Sequence, residues 1–156
     1  MLKVSMLEII IRGIPESFLM FFSIHTFSKV LINKGRYIVS SVLFIFIIYT
    51  IRCLPIKLGI HTILAMIAMI VLTVIVNKFD VIDAIKGTII TVLLEFICEI
   101  LNVVIIQYVL GLDMNNAFRN NVSRLLYSSP SLIMFALVVI SYYFVLLKRK
   151  DLKVYT

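Results

Sequence analysis

The feature that most constrains this chain is the grouping of its apolar residues into five blocks of membrane-spanning length. A bilayer core of about 30 Å is crossed by roughly 20 helical residues at about 1.5 Å each. The predicted spans are 14–32, 37–54, 58–76, 88–112 and 131–147. Apolar residues run continuously within the blocks, whereas the strands of a transmembrane barrel alternate. We therefore predict an all-α fold, a polytopic helical bundle of about five transmembrane helices in one membrane domain, residues 1–156.

The composition excludes a soluble domain. Hydrophobic residues make up 62% of the chain and charged residues 15%, whereas soluble domains contain about 45–50% apolar and about 25% charged residues. In water, a chain of 156 residues would have to expose much of this apolar excess.

Polar residues, glycine and proline separate the blocks. Residues 33–36 (NKGR) divide the first two, and Pro55 ends the second, because proline lacks the N–H that continues a helix. Ser128-Ser129-Pro130 is predicted to begin the fifth helix, with serine as the cap and proline in the first turn.

Two further segments are amphipathic. Residues 1–13 are predicted to form an interfacial helix that residues 13–15 (GIP) separate from the first span. One long kinked helix is the alternative for this region. Residues 114–127 are predicted to form a second surface helix, with apolar residues at helical spacing, and residues 148–156 a basic tail.

The distribution of Lys and Arg predicts the orientation. Five spans would place nine of these residues on one side: Lys29, Lys34, Arg36, Lys78, Lys86, Lys148, Arg149, Lys150 and Lys153. The other six would lie opposite: Lys3, Arg12, Arg52, Lys57, Arg119 and Arg124. The positive-inside rule then puts the amino terminus outside the cell membrane and the carboxyl terminus in the cytoplasm. We assign the net charge of +7 to span ends that face anionic headgroups, and no stripe of basic and aromatic residues indicates nucleic-acid binding.

Two carboxylates interrupt the fourth block, in the stretch LLEFICEILN. Helical spacing places Glu95, Glu99 and Asn102 on one face. Each ionisable group near a helix centre costs roughly 2–3 kcal/mol on insertion, so this face must meet protein or water. Carboxylates one turn apart repel, so either one is protonated or a cation lies beside them. Arg52 is the favoured cation, and Arg12 is the next.

Three interpretations of this polar face remain open. It is a buried cluster that fixes helix packing, a pocket that senses a ligand or peptide, or part of a proton- or cation-coupled path. The absence of Gly or Pro pairs in the middle of the spans weighs against the third, because transport sites commonly use broken helices.

No motif indicates catalysis. The chain contains no GxGxxG, P-loop or GxSxG, its two cysteines form no CxxC, and its two histidines lack metal-ligand spacing. We therefore expect neither an enzyme, nor a metal site, nor a cofactor.

The stretches RGIPES (12–17), IRCLPIKLGIHTIL (51–64) and EFICEILN (95–102) resemble membrane-embedded sensor modules of anaerobic Gram-positive bacteria. In those systems a comparable multi-span region precedes or neighbours a histidine-kinase ATPase, as in Agr-type peptide signalling. The resemblance implies a sensory input role. The polar-core candidates that it implies are Arg12, Glu16, Arg52, His61, Glu95, Glu99 and Asn102.

This sequence departs from the pattern because it carries no kinase domain, so we expect it to act through a partner in the lipid bilayer. That partner would be a histidine kinase, another membrane protein or a second copy of the chain. The alternative function is a small transport component, either a substrate-binding subunit or a cation-coupled carrier.

Overall fold

The computed structural model describes residues 9–53, 58–109 and 121–149, which form five packed α-helices. They are α1 (Ile14–Phe27), α2 (Lys34–Cys53), α3 (Leu58–Ile75), α4 (Val81–Val104) and α5 (Asn121–Arg149). A π-helical turn, Ile9–Gly13, precedes α1, and another, Ile105–Val109, follows α4. No β-strand occurs in these ranges, and the predicted all-α bundle is confirmed.

Three of the helical segments are long and apolar enough to cross a membrane: Lys34–Ile51, Val81–Tyr108 and Ser129–Arg149. The apolar helix Gly59–Ile75 is shorter, and α1 has only 14 residues, a length of about 21 Å. The structure therefore supports a helical membrane protein, while five complete crossings stay a prediction.

Helix α1 occupies the centre of the bundle, where it packs against α2, α4 and α5. Its buried hydroxyls bond to the carbonyls one turn earlier in the same helix. Ser17 Oγ donates to the Gly13 carbonyl at 2.7 Å, and Thr26 Oγ1 donates to the Phe22 carbonyl at 2.8 Å. These two hydroxyl donors are therefore satisfied within the chain's own helical turns, which lowers the cost of burying this part of α1.

The outward faces of the other helices carry large apolar side chains. Phe46 on α2 is 66% exposed, Ile100 on α4 is 62% exposed and Leu137 on α5 is 61% exposed. Such continuous apolar surfaces on helices of this length are suited to contact with lipid.

The first helix ends earlier than the predicted span 14–32. Lys29 has a φ of 55°, in the left-handed region. The Val30 N–H then donates to the His25 carbonyl at 2.9 Å, and the Val30 side chain is buried. This reversal closes the helix at Phe27. Helix α3 ends in a similar way, with Lys78 at a φ of 57° before the buried Phe79.

The fourth helix begins at Val81, before the predicted start of its span at residue 88. Asp80 is its N-cap, with the extended backbone angles φ −59° and ψ 140°, and Asp83 lies in its first turn. Acidic residues are favourable at these positions, because the N-terminus of a helix carries partial positive charge.

The prediction that Ser128-Ser129-Pro130 begins the fifth helix is wrong. Helix α5 is continuous from Asn121 to Arg149, with Pro130 inside it. Proline removes one backbone hydrogen bond, and such a loss is tolerated in long apolar helices that neighbouring elements support. Residues 121–127 of the predicted surface helix thus belong to α5, while 114–120 lie outside the described residues, as do 150–156 of the predicted tail.

The predicted break at residues 13–15 is also absent. The turn Ile9–Gly13 runs directly into α1, and Gly13 has helical angles (φ −63°, ψ −36°). Pro15 lies in the first α-helical turn, where its missing N–H is harmless. The alternative of one continuous helix therefore applies to residues 9–27, and residues 1–8 are not among those described.

The described basic residues other than Arg12, Arg52 and Arg124 lie at one end of the bundle. Helices α1 and α3 end there, α2 and α4 begin there, and α5 runs parallel to α1, since the Phe27 ring stacks on Tyr142 at 5.4 Å. This basic end carries Lys29, Lys34, Arg36, Lys78, Lys86, Lys148 and Arg149.

Candidate functional site

An ion pair joins the start of the described chain to α4, at the end of the bundle remote from the lysines. Arg12 Nη2 donates to Glu99 Oε1 at 2.9 Å. Arg12 Nε also lies 3.5 Å from Glu16 Oε2, one helical turn along the chain. The single guanidinium therefore bridges two carboxyl groups from two helices.

A third carboxyl group completes this cluster. Glu95 lines the same cavity as Glu16 and Glu99. Three carboxyl groups thus surround one guanidinium.

A cavity of about 190 Å³ opens beside the cluster, between α1, α2, α3 and α4. Its acidic wall consists of Glu16, Glu95 and Glu99, and His61 lines it from α3. The opposite walls are largely apolar: Met20, Phe44, Ile48, Ile51, Ala65 and Met69. A charged wall facing an apolar one is the usual composition of a ligand-binding pocket.

Helix α5 closes the other side of the cluster. Ser131 and Phe135 approach Arg12 and Cys98 there, around a gap of only about 10 Å³. A cavity needs about 10–15 Å³ of such space to hold one water, so this gap is at the lower limit and the larger space lies on the α3 side.

The structure brings four of the seven sequence-predicted residues into one cluster: Arg12, Glu16, Glu95 and Glu99. His61 contributes to the cavity wall. Asn102 is buried on α4, one turn beyond Glu99, and does not line the cavity. The side chain of Arg52, the cation that the sequence favoured, lies outside the described residues, and the cation paired with Glu99 is Arg12.

Sequence reasoning missed Ser23, which links α1 to the polar face of α4. Thr91 Oγ1 donates to Ser23 Oγ at 3.0 Å, and both side chains are fully buried. A sequence pattern could have identified Ser23, because Glu16, Met20 and Ser23 fall on one helical face at i, i+4 and i+7. That face of α1 meets the Thr91–Glu95 face of α4.

The second histidine, His25, lies far from the cavity. Its Nδ1 is 2.8 Å from the Phe21 carbonyl, and its ring packs edge-on against Phe79 at 4.8 Å and Tyr37 at 5.9 Å. Among the described side chains, no group of three or more His, Cys, Asp and Glu residues is arranged to hold a metal ion.

The fold and the cluster together place this chain in the class of helical membrane proteins with a charged site inside the bundle. Comparisons with protein-family models, curated proteins and solved structures find no match.

Proposed function

We propose that this protein is a sensory or regulatory transmembrane module of the cell membrane that acts through a partner protein. The cavity beside Glu16, Glu95 and Glu99 is its ligand-binding input site. The observation that carries the proposal is the imbalance of charge around this cavity, where three carboxyl groups meet one guanidinium.

This imbalance selects a cationic ligand. A positive group that entered the cavity would lie beside three carboxyl groups and would offset the repulsion between their negative charges. Charge-assisted hydrogen bonds to carboxylates are also about twice as strong as neutral ones.

The cavity is large enough for such a group. An apolar protein cavity of about 150 Å³ can hold benzene, so 190 Å³ admits a side-chain-sized ligand. The apolar wall around Met20 and Phe44 would accommodate the uncharged part of that ligand.

The position of the cavity suits a signal input. By the positive-inside rule, the basic end of the bundle faces the cytoplasm and the cavity lies in the outer half. Because four helices line it, an occupant would change their packing and shift a two-state equilibrium that a partner reads. The resemblance to Agr-type sensor modules favours a histidine kinase as that partner.

A matched pair of small molecules tests the input site. Benzylammonium and benzyl alcohol have similar shapes and differ in charge. We expect benzylammonium to raise the unfolding temperature of the purified protein, and benzyl alcohol to have little effect. The variant Glu95→Gln/Glu99→Gln should lose this response, and Asp80→Asn, an acid at the opposite end, should keep it. An equal response to both molecules would exclude a cation-selective site.

Affinity capture from native membranes, followed by mass spectrometry, tests the partner. We expect a kinase in the wild-type and Asp80→Asn samples and a changed yield in Glu95→Gln/Glu99→Gln. If the wild type and both variants capture the same partners with the same yield, the carboxyl groups serve helix packing and not partner coupling.

A small transport component is the second candidate, and the three carboxyl groups on the cavity wall favour it. Carboxyl groups that exchange protons inside a bundle recur in coupled transport. In proteoliposomes with a pH-sensitive dye inside, a transporter would move protons when the permanently charged benzyltrimethylammonium is added outside, and a sensor would not.

A further inference from the structure

One lysine at the basic end projects from a lipid-facing surface. Lys86 is exposed in the second turn of α4. Its neighbours on the same face are Ile82, Ile89 and Ile90, which are 65%, 40% and 43% exposed. Because α4 begins at Val81, Lys86 belongs to the helix that crosses the membrane. A cation at this position needs an anion at the level of the lipid headgroups.

A close helix contact brings a second lysine to the same place. A Cβ added at Gly87 would lie 2.3 Å from Ser28 Oγ. Ser28 Oγ also donates to the Asp83 carbonyl at 2.8 Å. The exposed Lys29, which follows Ser28 directly, is therefore held next to the turn of α4 that carries Lys86.

A third lysine reaches this region through an aromatic contact. The Phe79 ring lies 4.8 Å from the His25 ring, which places the end of α3 beside the end of α1. Lys78 immediately precedes Phe79 and is exposed. Lys29 and Lys78 both have left-handed backbone angles, where glycine is the usual residue. Lysine at both positions adds positive charge at a small conformational cost.

The charge around these lysines remains positive. The acidic side chains described at this end are Asp80 and Asp83, both at the start of α4, against seven basic ones. An anion is thus attracted to this end as a whole, and the exposed isoleucines below Lys86 supply an apolar contact for acyl chains.

From this arrangement we infer that Lys29, Lys78 and Lys86 form a binding site for the phosphate of an anionic phospholipid. A phospholipid is the occupant rather than a soluble anion, because Lys86 stands directly above the exposed apolar face of Ile82, Ile89 and Ile90. The site is separate from the acidic cavity and does not depend on the proposed sensory function.

Lipid titration of the detergent-purified protein tests this site. We expect phosphatidylglycerol to stabilise the wild type against thermal unfolding at lower concentration than phosphatidylcholine. In the variant Lys29→Asn/Lys78→Asn/Lys86→Gln, the apparent affinity for phosphatidylglycerol should fall roughly a hundredfold, because each of the three lysines near an anionic surface contributes about a factor of five. Asparagine tolerates the left-handed backbone at the first two positions.

The control is Lys148→Gln/Arg149→Gln, which removes positive charge from the same end but from α5. It should keep the affinity for phosphatidylglycerol to within about twofold. An equal loss in this control would show general attraction instead of a site and would overturn the proposal. Three other results would also overturn the proposal. They are an equal response to both lipids, an unchanged affinity in the triple variant, and the same stabilisation by soluble glycerol phosphate.

Discussion

The two ends of the α1–α4 interface are built in different ways. At Gly87 the helices approach so closely that an added Cβ would lie 3.0 Å from the Ile24 carbonyl oxygen. At the other end, Arg12 and Glu99 join them through long side chains beside a cavity of about 190 Å³. Close packing fixes the helices at one end, and the space left at the other can admit a ligand. Close packing and open space thus occupy opposite halves of one interface.

The largest expected effect comes from filling the tight end. Gly87→Leu would force α4 away from Ser28 and Ile24, both of which are buried. Overpacking typically costs about 1–3 kcal/mol, and the backbone oxygen of Ile24 at 3.0 Å places this change at the upper end of that range. Thermal unfolding of the purified protein should show a loss of this size. Gly59→Leu is the matched control, since no atom lies within 4 Å of a Cβ there. Similar losses in both variants would mean that the tight end is not close-packed.

The open end should respond to the loss of its cation. Arg12→Met leaves Glu16 and Glu99 without their shared partner, and we expect a destabilisation of about 2 kcal/mol. Adding Glu99→Leu should restore part of this stability, because the unpaired carboxylate is then removed. A double-mutant cycle in which the two changes are additive would contradict a direct Arg12–Glu99 interaction.

Glu99→Leu alone separates insertion from function. The change removes an ionisable group that costs roughly 2–3 kcal/mol on insertion. We expect membrane insertion at least equal to that of the wild type, measured by the fraction of protein recovered in membranes, together with a lost response to benzylammonium. Poorer insertion than the wild type would mean that the pair with Arg12 is needed for insertion itself.

The smallest effect is expected in the middle of the interface. Ser23→Ala removes the acceptor of the Thr91 hydroxyl, and a buried hydrogen bond contributes about 1 kcal/mol. We expect a loss of this size in thermal unfolding and an unchanged response to benzylammonium. Ser141→Ala is the control, because Ser141 is exposed and bonds only to its own helix. If Ser23→Ala loses the response to benzylammonium, the input site extends beyond the cavity to Ser23.

Much of the fold follows from local patterns. Helix α3 (Leu58–Ile75) agrees closely with the predicted span 58–76, and α2 with the span 37–54, because long apolar blocks have few alternatives to a helix in a membrane. The ends that depend on turns were predicted less well. A lysine in the left-handed region ends α1, and a proline fails to end α5. Neither outcome follows from residue preferences alone, because both depend on which neighbours pack against the chain.

The helical membrane class and the polar face of α4 can be predicted from the sequence, since composition and a 3.6-residue period are properties of one segment. The pairing of Arg12 with Glu99, 87 residues away, is visible only in the folded bundle, and so is the cavity that Glu16 and His61 both line. A period shows which side chains share a face of a helix, but it carries no information about the helix that this face will meet. That choice depends on the packing of all five helices at once, with Gly87 allowing the closest approach.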